Sequence, residues 1–305
     1  MIKASIDIGS NTILLLIAQI EDTFEVLENH STVTSLGLGL DIDGAFTEES
    51  MKVSADTLAS YVQICKKYDI LASEIVVTAT EASRKAVNAN IFFNNLKRSL
   101  NLTFKILSGE GEAFYSAQGV LADNKIKEKE IIIMDIGGAS TEFIKVNVAT
   151  KQVVKSVSLP IGAVRATSWI ASSTYQDKLK KIKEQLKQNF NIEKNVICVA
   201  GTMTSIANIL QGNSSYIEDS VHGKELTLKD LDIVQKNLSL LSDEEILLEF
   251  PFLGKRSKTI KAGVKLAKDL LETLEVEKIS VSIYGLRYGT LVADSIKEKY
   301  VESSV

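Results

Sequence analysis

The residues with the most chemistry in this chain sit in two matching turns, Asp7-Ile-Gly9 and Asp135-Ile-Gly137, 128 positions apart. In each, an apolar strand ends on aspartate, small residues turn the chain, and a second strand leaves. The first turn contains Gly9, Ser10, Asn11 and Thr12. The second contains Gly137, Gly138, Ala139, Ser140 and Thr141, with Glu142 next to them. Residues this small let a phosphate reach the amide hydrogens of the turn. A carboxylate at the strand end can hold a divalent cation, directly or through water. A glycine-rich hairpin joining buried strands is the bland alternative for either copy. The duplication and the flanking acids favour a phosphate compound handled between two similar domains.

Other segments add charge. SGEGEA (Ser108–Ala113) opens a helix with two carboxylates. Acids suit the positive end of a helix dipole, and that account suffices for Glu110. For Glu112 two readings stand: the same dipole preference, or a base for water aimed at phosphate, since the preceding strand ends on the sheet edge where Asp7 lies. Arginine is scarce, at only five positions: Arg84, Arg98, Arg165, Arg256 and Arg287. Each is a candidate for bidentate work on an oxyanion, although Arg98, in a lysine-flanked helix, reads as surface. Arg84 follows a buried strand, at the ligand-facing edge of an open sheet, and Lys85 adds a second cation. AGTMTS offers Gly201 and Thr202 at a helix start suited to anions, with Thr202 or Thr204 as its cap. Arg256 and Arg287 lie in loops or first turns, where each binds phosphate or pairs with an acid.

The elements that must position these groups form two similar series. Strands are expected at Ile2–Asp7, Asn11–Gln19 and Phe24–Thr34, then a helix capped by Thr47, a strand at Glu74–Thr78, a helix at Ala89–Ser99, a strand at Thr103–Leu107 and a helix at Gly109–Leu121. The series restarts with strands at Glu130–Asp135, Thr141–Val148 and Val153–Pro160. Helices and strands then alternate through a long helix at Lys255–Leu274, a strand at Lys278–Ile283 and a terminal helix. The fold class is therefore α/β, as two tandem ribonuclease-H-like domains of the kind in actin, Hsp70 and the sugar kinases, with an interdomain cleft. The expected domains are residues 1–122 and 123–292, the terminal helix at about 293–305 packing back on the first.

Composition narrows the function. The chain has 305 residues, 45% of them hydrophobic, and a net charge of −4. That length suits two domains, and the charge argues against broad nucleic-acid binding. The N-terminus opens into a strand and no apolar run is long enough to cross a membrane, so a soluble cytoplasmic protein is expected. Cys65 and Cys198 read as reduced core residues. His30 and His222 lack the neighbours of a zinc site.

DIGSNT, TATEASRKAVN, SGEGEA, DIGGASTE, SLPIGAVR, AGTMTS, VHG, RSKTIKAG and GLRYG occur in this order along nearly the whole chain. Jointly they resemble the exopolyphosphatase / pppGpp phosphohydrolase (Ppx/GppA) family of the actin-like superfamily, in its short two-domain form. The resemblance implies an enzyme dependent on Mg2+ (or Mn2+) that removes terminal phosphate by water attack on a phosphoanhydride. Its ligands would be inorganic polyphosphate or guanosine penta- and tetraphosphate. It implies Glu112 as catalytic base, and Asp135 and Glu142 as metal-binding or water-positioning acids, to which the matching strand end adds Asp7 as a metal candidate. Gly137, Gly138, Ser140 and Thr141 would form the phosphate loop, and Arg84 would bind phosphate. The reading allows for a homodimer.

The chain departs from the family pattern at several sites. Leu14 stands where arginine or histidine is usual, Gly111 replaces a glutamate and Ala139 a glycine. Tyr288 occupies an acidic position, and Lys258 stands where aspartate is common. These changes bear on substrate choice and rate. Two further functions compete: a non-catalytic sensor of guanosine tetra- or pentaphosphate, and a kinase or ATPase of the same superfold with AGTMTS in an adenosine pocket. Retention of Glu112, Asp135 and Glu142 together favours hydrolysis.

Overall fold

The computed structural model describes every residue except 22, 23, 124, 125, 192 and 294, and only the backbone of 41 and 42. The chain begins with β1 (Ile2–Ile8), β2 (Thr12–Ile20), β3 (Phe24–Val33), α1 (Leu40–Asp43), α2 (Glu48–Lys66), β4 (Val76–Ala79), α3 (Glu81–Lys85), α4 (Ala89–Leu100), β5 (Phe104–Leu107) and α5 (Gly109–Leu121). It continues with β6 (Glu130–Ile136), β7 (Thr141–Asn147), β8 (Gln152–Leu159), α6 (Ala163–Ala171), α7 (Tyr175–Asn189), β9 (Asn195–Val199), α8 (Ala200–Leu210), α9 (Glu218–Val221) and β10 (Glu225–Leu226). Then come α10 (Leu228–Ser239), α11 (Asp243–Glu249), α12 (Ile260–Thr273), β11 (Lys278–Val281), α13 (Leu286–Val292) and β12 (Val301–Ser304).

Two compact units result: Met1–Asn124 with Leu286–Val305, and Lys125–Gly285. The boundary expected at 122/123 adjoins residues 124 and 125, which lie outside the described residues. Each unit holds one six-stranded mixed sheet, ordered β12-β5-β4-β1-β2-β3 in the first and β10-β11-β9-β6-β7-β8 in the second. In both, an antiparallel meander of three strands continues into two parallel strands. A short antiparallel strand then closes the edge. This is the ribonuclease-H-like order, made twice.

Local chemistry sets the elements. Thr47 caps α2, its hydroxyl accepting from the Ser50 amide at 3.2 Å, and Ser108 caps α5 through the Gly111 amide at 3.1 Å. The apolar positions of the strands are buried: Ile6, Ile8, Leu15 and Phe104 in the first core, Met134, Ile136, Phe143 and Cys198 in the second. Among the described residues no helix is long and apolar enough to cross a membrane.

Three expected elements differ. The long helix from Lys255 is shortened: residues 251–258 form 3-10 turns, Gly254 takes a left-handed φ of 50°, and α12 starts only at Ile260. The AGTMTS helix starts at Ala200 after Val199, so Thr202 and Thr204 lie inside it and do not cap it. The segment after residue 292 is not a helix. It makes a 3-10 turn at Glu298–Tyr300 and then β12, because β5 has an open edge whose Phe104 amide and carbonyl bond those of Val305 at 2.9 and 3.0 Å.

Candidate active site

In the first unit the turn after β1 is closed by the Gly9 amide on the Thr12 carbonyl at 3.0 Å. Its own carbonyls are engaged from behind: Ser10 accepts from Gly37 at 2.7 Å, and Asn11 from Thr34 and Ser35 at 3.0 Å. The amides of Ser10 and Asn11 donate to no described residue.

The second unit repeats this arrangement. The Gly137 amide meets the Ser140 carbonyl at 3.0 Å. The first amides of α6 bond the carbonyls of Gly137 (from Ala163, 2.9 Å) and Gly138 (from Val164, 2.9 Å). Arg165 adds a side-chain bond to the Ala139 carbonyl at 2.5 Å. With its carbonyls held this way, the turn keeps the Gly138, Ala139 and Ser140 amides without a described acceptor. Successive amides without an internal acceptor are suited to binding an anion. Of the two hydroxyls expected to assist, Thr141 gives its own to the Ile161 carbonyl at 2.6 Å, which leaves that of Ser140.

Gly162 makes this fit feasible. A Cβ there would lie 2.5 Å from the Gly138 carbonyl carbon and 2.6 Å from the Gly137 oxygen. Arg165, expected as an oxyanion binder, gives Nη1 to a backbone carbonyl instead, and Gly162 carried no expected role. Nothing in their spacing says that the start of α6 returns to the turn.

The carboxylates are set by strand register. Asp135 stands directly opposite Glu142, which stands opposite Ser158, so one row crosses β6, β7 and β8. The Ser158 hydroxyl bonds Glu142 at 2.8 Å. The same row in the first unit reads Asp7, Leu14, Ser31. Leucine therefore replaces the carboxylate, and the first turn has one acid where the second has two. Like charges directly opposite on antiparallel strands repel, and a cation bound there would relieve that. Among the described residues no three His, Cys, Asp or Glu side chains gather into a cage. Two carboxylates without a cage still suit Mg2+, which keeps most of its waters and takes the remaining ligands from phosphate.

Glu112 and Arg84 come together. Glu112 lies in the first turn of α5, only 8% exposed, and its carboxylate is paired with the Arg84 guanidinium. Arg84, in α3, also donates to the Leu107 carbonyl at 2.6 Å. Lys85, expected as a second cation, is instead neutralised by Glu81 on the turn before it.

In the second unit Arg256 lies against the start of α8. A Cβ at Gly201 would sit 2.5 Å from its Nη2, and its Nη1 is 3.2 Å from the Ser205 hydroxyl. Burial pushes the Arg256 pKa below the usual arginine range, and no carboxylate among the described residues pairs with it. A desolvated cation beside the positive end of a helix is costly unless an anion joins it. Thr202, also expected to hold phosphate, is buried with its hydroxyl 3.4 Å from the Ile136 carbonyl. Arg287, in the first turn of α13, has an enclosed Nη1 with no hydrogen-bond partner among the described residues. Tyr288 beside it is fully buried, its ring 5.5 Å from that of Phe24, so the acidic position of the family pattern is filled here by a core side chain.

Comparison with known proteins places the chain in a family. A profile of the Ppx/GppA phosphatase family matches residues 16–298. A bifunctional 3-dehydroquinate synthase/phosphatase of Fusobacterium nucleatum is 30% identical over 92% of this chain and 45% of its own. A guanosine-5'-triphosphate,3'-diphosphate pyrophosphatase of Pseudoalteromonas translucida is 28% identical over 95% of this chain and 58% of its own. The chain thus spans about half the length of these curated relatives. Among solved structures, a Ppx/GppA family member of Aquifex aeolicus superposes with a TM-score of 0.76 at 29% identity, covering 96% of each chain. An exopolyphosphatase of Cytophaga hutchinsonii gives 0.83 at 24% identity over 95% of this chain and 96% of its own, a likeness of fold. By profile, sequence and structure, this chain belongs to the Ppx/GppA phosphatase family.

Proposed function

We propose that the chain hydrolyses phosphoanhydrides in the cytoplasm, releasing terminal phosphate from inorganic polyphosphate or the 5'-γ-phosphate of pppGpp. The observation that carries this reading is Glu112, a carboxylate buried at a helix start and held by Arg84. A carboxylate fixed in this way can take a proton from an attacking water, and the arginine can neutralise phosphate charge. In the second unit, the open amides at Gly138–Ser140 and Arg256, which pairs with no described carboxylate, are suited to phosphate oxygens. Asp135 and Glu142 would hold the Mg2+ or Mn2+; Asp7 is the matching acid of the first unit. When bound, that ion would offset charge on the phosphate oxygens.

Purified protein with Mg2+ should release phosphate from polyphosphate or pppGpp, and Glu112→Gln should lose about 10²–10⁴-fold in kcat. Full activity in Glu112→Gln removes Glu112 from the mechanism. ATP-dependent phosphorylation of a small metabolite, with polyphosphate and pppGpp untouched, replaces the hydrolase by a kinase.

A further inference from the structure

β12 pairs with β5 irregularly. Val301 stands opposite Leu107 and Ser303 opposite Ile106, so Glu302 is the extra residue of a β-bulge. Bulges re-aim a side chain, and here the Glu302 carboxylate lies 3.7 Å from Arg84 Nε. The residue before the bulged pair acts on the other half of the couple. The Tyr300 carbonyl accepts from the Ser108 amide at 2.9 Å and lies 3.3 Å from the Ser108 hydroxyl. Ser108 is the cap of the helix that carries Glu112. A Cβ at Gly111 would fall 2.4 Å from that same carbonyl, so Gly111, one of the departures from the family pattern, is the residue that admits Tyr300.

We infer that Glu302 is a positioning residue for Arg84, and that β12 braces the Arg84–Glu112 pair as a whole. Arginine has many rotamers, and a cavity of about 250 Å3 bordered by Ser83, Arg84, Asn90 and Glu302 gives its guanidinium room to swing away. Two acceptors restrain it, Leu107 and Glu112 on Nη1, and the Glu302 carboxylate adds an ion pair on the Nε side. Nη2 has no described partner and stays open for a ligand oxygen. Lys105 fastens the strand on either side of the bulge, to Glu298 at 2.7 Å and to the Ser304 hydroxyl at 3.1 Å.

This inference rests on the hydrolase reading for its kinetic consequence and on geometry alone for its spectroscopic one. Glu302→Ala and Glu302→Gln should lower kcat about three- to tenfold with KM changed less than about twofold, and Glu302→Asp should recover part of the loss. Asp56→Ala removes an exposed charge of α2 that takes no part in the brace and should leave kcat unchanged. With only five arginines in the chain, the Arg84 Nε–H NMR signal can be assigned through Arg84→Lys. Its hydrogen exchange should quicken in Glu302→Gln and not in Asp56→Ala. Equal exchange in parent and Glu302→Gln overturns the inference. A parent that releases phosphate from no substrate refutes the hydrolase reading, and the exchange comparison still decides the role of Glu302.

Discussion

Gly162→Ala probes the phosphate turn without touching any group proposed to react. The added Cβ would meet the Gly138 carbonyl carbon at 2.5 Å and two turn oxygens at 2.6 Å, where ordinary contact begins at 3.4 Å. The turn and the start of α6 must therefore separate by about 0.9 Å, and since the three nearest neighbours are all backbone, no flexible side chain can yield instead. That separation also stretches the 2.9 Å bonds from Ala163 and Val164 that hold the turn's carbonyls. Overpacking of this kind costs about 1–3 kcal/mol, which lowers the Tm of a unit this size by about 2–12 °C. A displacement near 1 Å at a positioning element costs about 10²-fold in rate. Phosphate release should be measured well below the Tm, beside Gly109→Ala, whose added Cβ meets nothing within 4 Å. If Gly162→Ala keeps kcat/KM within about threefold of the parent while Gly109→Ala behaves as parent, the turn does not position phosphate as argued.

Arg256→Lys keeps the charge but loses the planar fork, so KM for polyphosphate or pppGpp should rise about tenfold with kcat less affected; an unchanged KM detaches Arg256 from the substrate. Chelation of divalent cations should abolish phosphate release, and Asp135→Asn should raise the half-saturating Mg2+ by about tenfold or more. Activity that persists in excess EDTA removes the metal from the scheme. Burial pushes the Cys65 thiol up to about 12 from 9.0. Above pH 9 the unfolded chain loses that proton first, so the stability fully present below pH 9 declines as pH rises toward 12, by about 1.4 kcal/mol per unit. Urea midpoints at pH 8 and 10.5 should converge in Cys65→Ala relative to the parent, and an equal pH loss in both chains excludes the thiol as its source.

The sequence alone determined the features that depend on neighbours along the chain. Asp7 and Asp135 stand one residue before the ends of their strands, and each small-residue turn joins an antiparallel pair, because alternating apolar residues and a tight loop specify a hairpin locally. Thr47 and Ser108 cap their helices for the same reason. The scarcity of arginine also pointed toward Arg84 and Arg256. Tertiary structure decided what these groups touch. The pairing of Arg84 with Glu112, the return of Gly162 and Arg165 to the turn, and the burial of Tyr288 join residues far apart in sequence. The segment after residue 292 is the clearest case. Its own residues suggested a helix, but the open edge of β5 supplied ladder hydrogen bonds that a strand alone can accept, and that edge is formed by residues nearly two hundred positions away. Local propensity cannot register a partner at that distance.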